Sequence, residues 1–273
     1  AQDMVTDNPN TTSYSASPSY ELGIAMSGGG ARGIAHAGAL MAIEEAGLKP
    51  DIIAGVSAGS VVAVLYAAGV SPTNILRMFA DVKTRDFVDF TWGKGGLLNI
   101  SKFTKYICRA IGRYKNIEDL PIPTYIGVSN FDSGKPEEFH SGEIAPRMTA
   151  SCSIPVVMPP VKINGITYVD GGVLRNMPAW TIRDKCKRLI GINVSPMDRT
   201  AKYSNSLLDI AMRAYSLMAK SNHARDIEMC DLVVETSEIS HHKVFDLKEV
   251  QKVFNSGYIN TRKALRDAGW WNQ

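Results

Sequence analysis

Two strand-to-helix transitions open the patterned part of the chain. Apolar residues alternate over positions 22–26, a period of two that predicts a strand, and helix formers at helical spacing follow from Ile34 to Ala46. The succession repeats at once, with a predicted strand at 51–55 and a helix of small residues at 58–68. The chain therefore begins in β-α-β-α order.

Later segments continue this alternation. Further predicted strands cover 124–128, 188–194 and 231–235, further helices cover 205–221 and 248–268, and residues 161–170 form a hairpin that turns at Asn164-Gly165. Because strands that alternate with helices pair in parallel through right-handed crossovers, the pattern predicts an α/β fold. We expect three layers, α/β/α, around a central and mainly parallel sheet.

Length and composition indicate one folded domain. The chain has 273 residues, of which 45% are hydrophobic and 21% charged, values typical of globular proteins. Residues 1–20 are rich in Ser, Thr, Asn and Pro without apolar periodicity and are interpreted as a flexible leader, which leaves 21–273 as a single domain. The chain begins with Ala1, which fits a removed signal peptide or other trimming, so cytoplasmic, membrane-peripheral and periplasmic locations all stay open.

Charge and cysteine usage narrow the classes of ligand. The net charge is +3, a mild surplus that suits an anionic surface or a phosphorylated substrate and does not indicate nucleic acid. No apolar run reaches the length of about 18 residues that a membrane-spanning helix needs, so we expect any membrane contact to be peripheral. The four cysteines stand far apart without zinc-like spacing and are interpreted as buried free thiols.

The second strand-to-helix turn carries a candidate nucleophile. Gly55-Val56-Ser57-Ala58-Gly59 fits the GxSxG elbow, in which small neighbours let a serine occupy a strained turn. Ser57 would stand at the N-terminus of the following helix, where N–H groups and the helix dipole favour developing negative charge. A serine that only caps the helix is the alternative.

The first turn contains backbone hydrogen-bond donors of the kind that a nucleophilic serine requires. Its residues are Gly28-Gly29-Gly30-Ala31-Arg32-Gly33. Backbone N–H groups of Gly28, Gly29 and Gly30 are suited to an oxyanion hole, and Arg32 and Gly33 are expected to support the loop. The loop also satisfies GxGxxG, so a nucleotide-binding or regulatory module that holds phosphate there is an alternative. The acidic residue that a dinucleotide site expects at the end of the second strand is missing.

A general base for Ser57 is less evident. The histidines lie in contexts that favour packing or surface positions: His36, His140, His223, His241 and His242. A triad of Ser57, Asp170 and His223 or His241 disagrees with the order of strands, since α/β-hydrolases place several strands before the elbow. A carboxylate replaces histidine where poor solvation raises its pKa. Asp170-Gly171-Gly172 is the candidate, and a plain Asp-Gly-Gly turn is the alternative.

The three motifs occur together in a known family. In order and spacing, Gly28–Gly33, Gly55–Gly59 and Asp170–Gly172 resemble the oxyanion loop, elbow and aspartate motif of patatin-like phospholipases. The likeness covers about residues 21–200. Ser27 stands where plant members often carry an aspartate, as in many bacterial members.

The resemblance implies a catalytic domain over 21–273 that hydrolyses carboxylic esters of lipids or phospholipids. It implies a dyad in which Asp170 accepts the proton of Ser57, while Gly29 and Gly30 hold the oxyanion and water later cleaves an acyl-serine. It implies no cofactor and no metal. Head group, acyl preference and oligomeric state stay open.

Two segments are candidate lids. Within 83–115, an apolar and basic mixture suits a lipid interface or, alternatively, a packed helix with a solvated basic face. Its members are Phe87, Phe90, Trp92, Lys94, Leu97, Leu98, Lys102, Phe103, Lys105, Arg109 and Arg113. The helix at 205–221 is interpreted as core-packing rather than as a lid.

Overall fold

The structure, a computed structural model, describes residues 17–81, 89–90, 98–196, 202–236 and 249–271. Its strands are β1 (Tyr20–Met26), β2 (Ile52–Val56), β3 (Asp89–Phe90), β4 (Leu98–Asn99), β5 (Thr124–Asn130), β6 (Lys135–Phe139), β7 (Val161–Ile163), β8 (Ile166–Asp170), β9 (Cys186–Asn193) and β10 (Leu232–Glu235). Its helices are α1 (Ile34–Glu45), α2 (Ala58–Ala67), α3 (Pro72–Ala80), α4 (Ser101–Ala110), α5 (Ile144–Ser151), α6 (Ala179–Ile182), α7 (Leu207–Ser221), α8 (Ala224–Met229) and α9 (Val250–Asp267). Most of the predicted leader, the histidines at 241–242 and most of the candidate lid before α4 lie outside the described residues.

One eight-stranded sheet forms the centre of the described structure. Its order is β10-β9-β1-β2-β5-β8-β7, with β6 paired to β5. The first five strands run parallel, which confirms the predicted mainly parallel sheet. β6, β8 and β7 add antiparallel pairs at the other end. The sequence pattern missed β6 because Lys135-Pro136-Glu137-Glu138-Phe139 has no apolar alternation.

Side chains of β1 alternate between two apolar layers. Leu22, Ile24 and Met26 enter a large core that includes α1, α2 and α9. Ala25 faces the opposite side, in a smaller cluster with Ile182 of α6. This alternation of period two places helices on both faces of the sheet, and the predicted three-layer architecture is confirmed. Each large aliphatic side chain buried in this way contributes roughly 1.5–3 kcal/mol to stability.

α4 packs on the core with one side only. Ile107 is fully buried, whereas Lys102, Lys105 and Arg109 lie on the exposed side. This is the arrangement of a packed helix with a solvated basic face. No helix within the described residues is long and apolar enough to cross a membrane.

All four cysteines are free, as predicted. Cys152 and Cys186 are buried, while Cys108 and Cys230 are only partly buried.

Candidate active site

Ser57 lies in a strained turn at the carboxyl end of β2. Ser57 follows Val56 directly and has φ 53° and ψ −122°, a left-handed conformation that costs a residue other than glycine roughly 1–2 kcal/mol. α2 begins at Ala58, yet the Ser57 side chain caps none of its N–H groups. The backbone therefore has the form of a nucleophile elbow, and the capping alternative is not supported.

Two other serines hold this turn by hydrogen bonds to the Ser57 backbone, and one of them is itself hydrogen-bonded to β5. The Ser57 N–H donates to Ser151 Oγ over 2.8 Å, and the Ser151 hydroxyl donates to the carbonyl of Gly127 over 2.7 Å. The Ser60 hydroxyl donates to the carbonyl of Ser57 over 2.6 Å. Sequence reasoning assigned Ser151 no role, because its partners are distant in the chain and only the packing of α5 on the sheet joins them.

The glycine loop lies against the elbow. A Cβ on Gly28 would stand 3.3 Å from Ser57 Cβ and 2.5 Å from Asn176 Oδ1, so only glycine permits this approach. The N–H of Gly28 already donates to the carbonyl of Asn176 over 3.3 Å. Among the described residues, the N–H groups of Gly29 and Gly30 donate to no acceptor. Two backbone donors therefore stand unused beside the Ser57 turn.

Arg32 ties the glycine loop to the end of β9. It is almost fully buried, and its Nε donates to the carbonyl of Gly29 over 3.1 Å while its Nη2 donates to Ser195 Oγ over 3.3 Å. Gly33 closes the loop, and a Cβ there would lie 2.4 Å from the Cβ of Ala58. Loop and elbow are therefore in direct contact at both ends of the loop.

Two of the three histidines that the structure describes have side-chain partners other than Ser57 and Asp170. His36 Nε2 lies 2.7 Å from the carbonyl of Ser27, and burial lowers the pKa of His36 to about 4. A neutral His36 donates this hydrogen bond and braces the residue before the glycine loop. His140 is exposed and contacts Glu138, and His223 precedes α8.

The strand register brings Asp170 to the elbow. Val56 is paired with Gly127, and the next residue of β5, Val128, is paired with Asp170. β8 runs antiparallel to β5 and pairs only with its last residues, so the C-terminal residue of β8 lies level with the end of β2 across β5. The Asp170 N–H donates to the carbonyl of Ser153 over 2.9 Å, which fixes the strand end. Two motifs that are far apart in the sequence thus meet in one buried site.

Burial determines the electrostatics of the Asp170 carboxyl. Its Oδ1 accepts hydrogen bonds from the Gly172 N–H over 2.7 Å and from the Tyr215 hydroxyl over 3.0 Å. Its Oδ2 is buried and accepts no hydrogen bond from the residues that the structure describes. Desolvation raises the pKa of Asp170 to about 7, although the Gly172 N–H and the hydroxyls of Ser57 and Tyr215 lower it. A carboxyl with a pKa near neutrality is suited to general base catalysis at neutral pH.

The Ser57 hydroxyl is close enough to Asp170 to lower the pKa of the carboxyl. It does not occupy Oδ2, and catalytic hydrogen bonds commonly tighten only when a substrate is bound. The structure therefore brings together Ser57, Asp170 and the glycine loop. It adds Tyr215, which the apolar pattern of α7 assigned only to core packing.

A comparison with protein families agrees with this arrangement. The family model described as "Patatin-like phospholipase" matches residues 24–182, a segment that contains all three motifs. The chain belongs to the patatin-like phospholipase family. The patatin-like match ends before α7, so Tyr215 lies outside it.

Two named relatives of this patatin-like chain come from fungi. "Lysophospholipase NTE1" of Saccharomyces cerevisiae is 34% identical over 199 residues, which cover 68% of this chain and 12% of that protein. "Lysophospholipase nte1" of Aspergillus fumigatus is 32% identical over 165 residues, which cover 57% of this chain and 11% of that protein. The chain thus matches only a small part of the length of these curated relatives.

A solved structure shares the fold. The crystal structure of VipD from Legionella pneumophila superimposes with a TM-score of 0.63 at 15% sequence identity, covering 92% of this chain and 67% of that chain. At this identity the likeness concerns the architecture alone.

Proposed function

We propose that the chain is a serine lipid acyl hydrolase that cleaves carboxylic esters of phospholipids or lysophospholipids. The observation that carries the proposal is the buried carboxyl of Asp170 beside the strained Ser57 turn, with one oxygen that has no hydrogen-bond partner within the described part of the chain. Membership in the patatin-like family and relatives named as lysophospholipases support the class of substrate.

The reaction begins with transfer of the Ser57 proton to Oδ2 of Asp170. The resulting alkoxide attacks the acyl carbonyl, and the unused N–H groups of Gly29 and Gly30 stabilise the oxyanion. Protonated Asp170 then returns its proton to the leaving alcohol, and an acyl-serine remains. In the second half, Asp170 takes a proton from water, which attacks the acyl-serine. As the tetrahedral intermediate collapses and the fatty acid leaves, Asp170 returns this proton to the oxygen of Ser57. Gly28, Arg32 and Gly33 keep the loop in place.

Phosphate binding by the glycine loop has less support. β2 ends at Val56 and is followed by Ser57, so no acidic side chain stands where a dinucleotide ribose would need one. The Gly28 N–H, a donor that such a loop would offer to phosphate, is already used by the carbonyl of Asn176.

A labelling experiment tests the proposed function. We expect a fluorophosphonate probe to modify the purified chain at Ser57, as mapped by peptide mass spectrometry. We also expect incubation with lipids in ¹⁸O-water to release fatty acid that carries the isotope, since water cleaves the acyl-serine. Modification at another residue only, or no fatty acid from any phospholipid or lysophospholipid, would contradict the proposal.

Peripheral contact with a lipid surface is part of the proposal, and α7 is suited to it. Leu207, Ile210, Leu217 and Met218 are 70%, 46%, 41% and 39% exposed, and at helical spacing they fall within an arc of about 100°. Tyr215, which lies outside this arc and is buried, contacts Asp170. An apolar stripe on a helix that borders the reacting groups would hold the site at the interface where lipid substrates lie.

Charges placed in this stripe are expected to weaken membrane binding selectively. The double variant Leu207→Glu with Leu217→Glu should reduce sedimentation with phosphatidylcholine–phosphatidylglycerol vesicles by at least about tenfold, because each leucine loses roughly 1.5–3 kcal/mol of apolar burial. Hydrolysis of a soluble short-chain ester should stay within about twofold of the parent, since the stripe does not touch the reacting groups. Ile259→Glu, at an exposed apolar position of α9, is the matched control. Equal vesicle binding by the double variant and the parent would exclude α7 as the contact.

A further inference from the structure

Tyr215 reaches the candidate base from a part of the chain that the family match does not cover. It lies on α7, whereas the match ends at residue 182. Its ring is buried, and its hydroxyl donates to Asp170 Oδ1 over 3.0 Å. The reaction steps proposed above assign it no role.

The aspartate motif is shaped to receive this hydroxyl. A Cβ on Gly172 would stand 2.3 Å from the Tyr215 hydroxyl oxygen, so the second glycine of the motif provides the space. Asn222, which follows α7, donates from Nδ2 to the carbonyls of Gly172 and Val173 over 2.9 and 3.2 Å. Its Oδ1 accepts the Asn176 N–H over 2.9 Å. α7 and the residue after it therefore contact the aspartate motif at two places, through Tyr215 and through Asn222. These contacts fix the position of the Tyr215 hydroxyl.

We infer that Tyr215 is a positioning residue for the Asp170 base. Together with the Gly172 N–H, its hydroxyl occupies Oδ1 and so reserves Oδ2 for the proton of Ser57; Oδ2 is buried and has no partner among the residues described. This inference rests on the proposed hydrolase function. Tyr215 thus adds to the glycine loop, the elbow and the aspartate motif a residue from α7, a helix that is distant from them in the sequence.

The other ionisable groups near Asp170 keep the same charge around neutral pH, so a change in activity with pH in this range reports the titration of Asp170. Burial raises the pKa of Tyr215 well above its usual range, and that of Cys152, which approaches from the end of α5, to about 12. Both remain neutral at neutral pH. The Arg32 guanidinium, which is near enough to lower the pKa of Tyr215, stays a cation throughout. The Tyr215 hydrogen bond lowers the pKa of Asp170, so its loss must raise that pKa.

Tyr215→Phe tests the inference, because it removes the donor and keeps the ring. The acidic limb of the kcat/KM profile should move to higher pH by about one unit, and kcat at neutral pH should fall about tenfold with KM nearly unchanged. Tyr66→Phe is the matched control, since the Tyr66 hydroxyl donates to the carboxylate of Glu44 over 2.8 Å on α1 and α2, away from the site. It should leave the profile in place.

A second variant keeps the test decisive if Tyr215→Phe folds poorly. Replacement of Tyr215 with 3,5-difluorotyrosine preserves shape and strengthens the donor, so the acidic limb should move to lower pH. A merely structural role would not move the limb in opposite directions. An unmoved limb in both variants, with Ser57 still labelled by the fluorophosphonate probe, would overturn the positioning role alone. Loss of labelling in the parent chain would instead refute the proposed function.

Discussion

Ser57→Ala is expected to lower kcat for lipid ester hydrolysis by roughly 10⁴- to 10⁶-fold and to abolish fluorophosphonate labelling. The acyl-serine cannot form without the hydroxyl, and the remaining glycine N–H groups stabilise only an attack by water. Initial rates of fatty acid release and intact-mass spectra of the probe-treated chain measure both effects.

Matched variants separate this chemical loss from a folding defect. Alanine retains the left-handed conformation of Ser57, whereas Ser57→Gly relieves it and should be more stable than Ser57→Ala by about 1 kcal/mol while equally inactive. Ser71→Ala removes another serine from a helix start, where its side chain accepts the Asn74 N–H. It should cost about 1 kcal/mol of stability and no activity. Substantial turnover by Ser57→Ala would mean that another nucleophile attacks the acyl carbonyl.

Asp170→Asn is expected to reduce kcat by roughly 10³-fold or more, because an amide accepts no proton from Ser57. Asparagine has the size of aspartate and keeps an oxygen for the Gly172 N–H and the Tyr215 hydroxyl, so the site should remain assembled. Asp132→Asn, which removes an exposed carboxylate, is the activity control. Undiminished turnover in Asp170→Asn would show that a different group acts as the base.

The same variant is expected to remove a pH dependence of the free energy of unfolding. The pKa of Asp170 is about 7 in the folded chain against an ordinary value of 3.8, so the folded state binds this proton more tightly than the unfolded state. Stability from this group is therefore fully present below about pH 4 and is lost as the pH rises through 7. Relative to the parent, Asp170→Asn should gain little at pH 4 and on the order of 4 kcal/mol above pH 7.

Urea unfolding followed by tryptophan fluorescence across this pH range measures the difference. Asp226→Asn supplies the contrast, because Asp226 is also fully buried but accepts two hydrogen bonds from Arg175, at 2.7 and 2.9 Å. Removal of its charge leaves the guanidinium without its partner and should destabilise the chain at neutral pH. A stability difference between Asp170→Asn and the parent that does not change with pH would mean that Asp170 titrates normally.

The sequence by itself determined the features that depend on neighbouring residues. The elbow around Ser57 and the glycine loop at 28–33 are each a strand, a tight turn and a helix within a few residues, and their geometry follows from small side chains at fixed spacing. The β-α alternation likewise determined the layered fold, because apolar periodicity decides which face of each element is buried.

Only the tertiary structure decided which groups meet at the site and which donors remain free. The pairing of Val128 with Asp170 puts the carboxyl beside the elbow, and no local pattern encodes that register. The sequence motif predicts three loop N–H groups for the oxyanion hole, but in the fold the N–H of Gly28 donates to the carbonyl of Asn176. Among the described residues, only the N–H groups of Gly29 and Gly30 in this set have no acceptor. Tyr215 lies in an ordinary apolar helical pattern, and its hydroxyl acquires a role only because α7 packs on the aspartate motif. Contacts between residues far apart in the chain depend on packing and register, so their chemistry is absent from the local sequence.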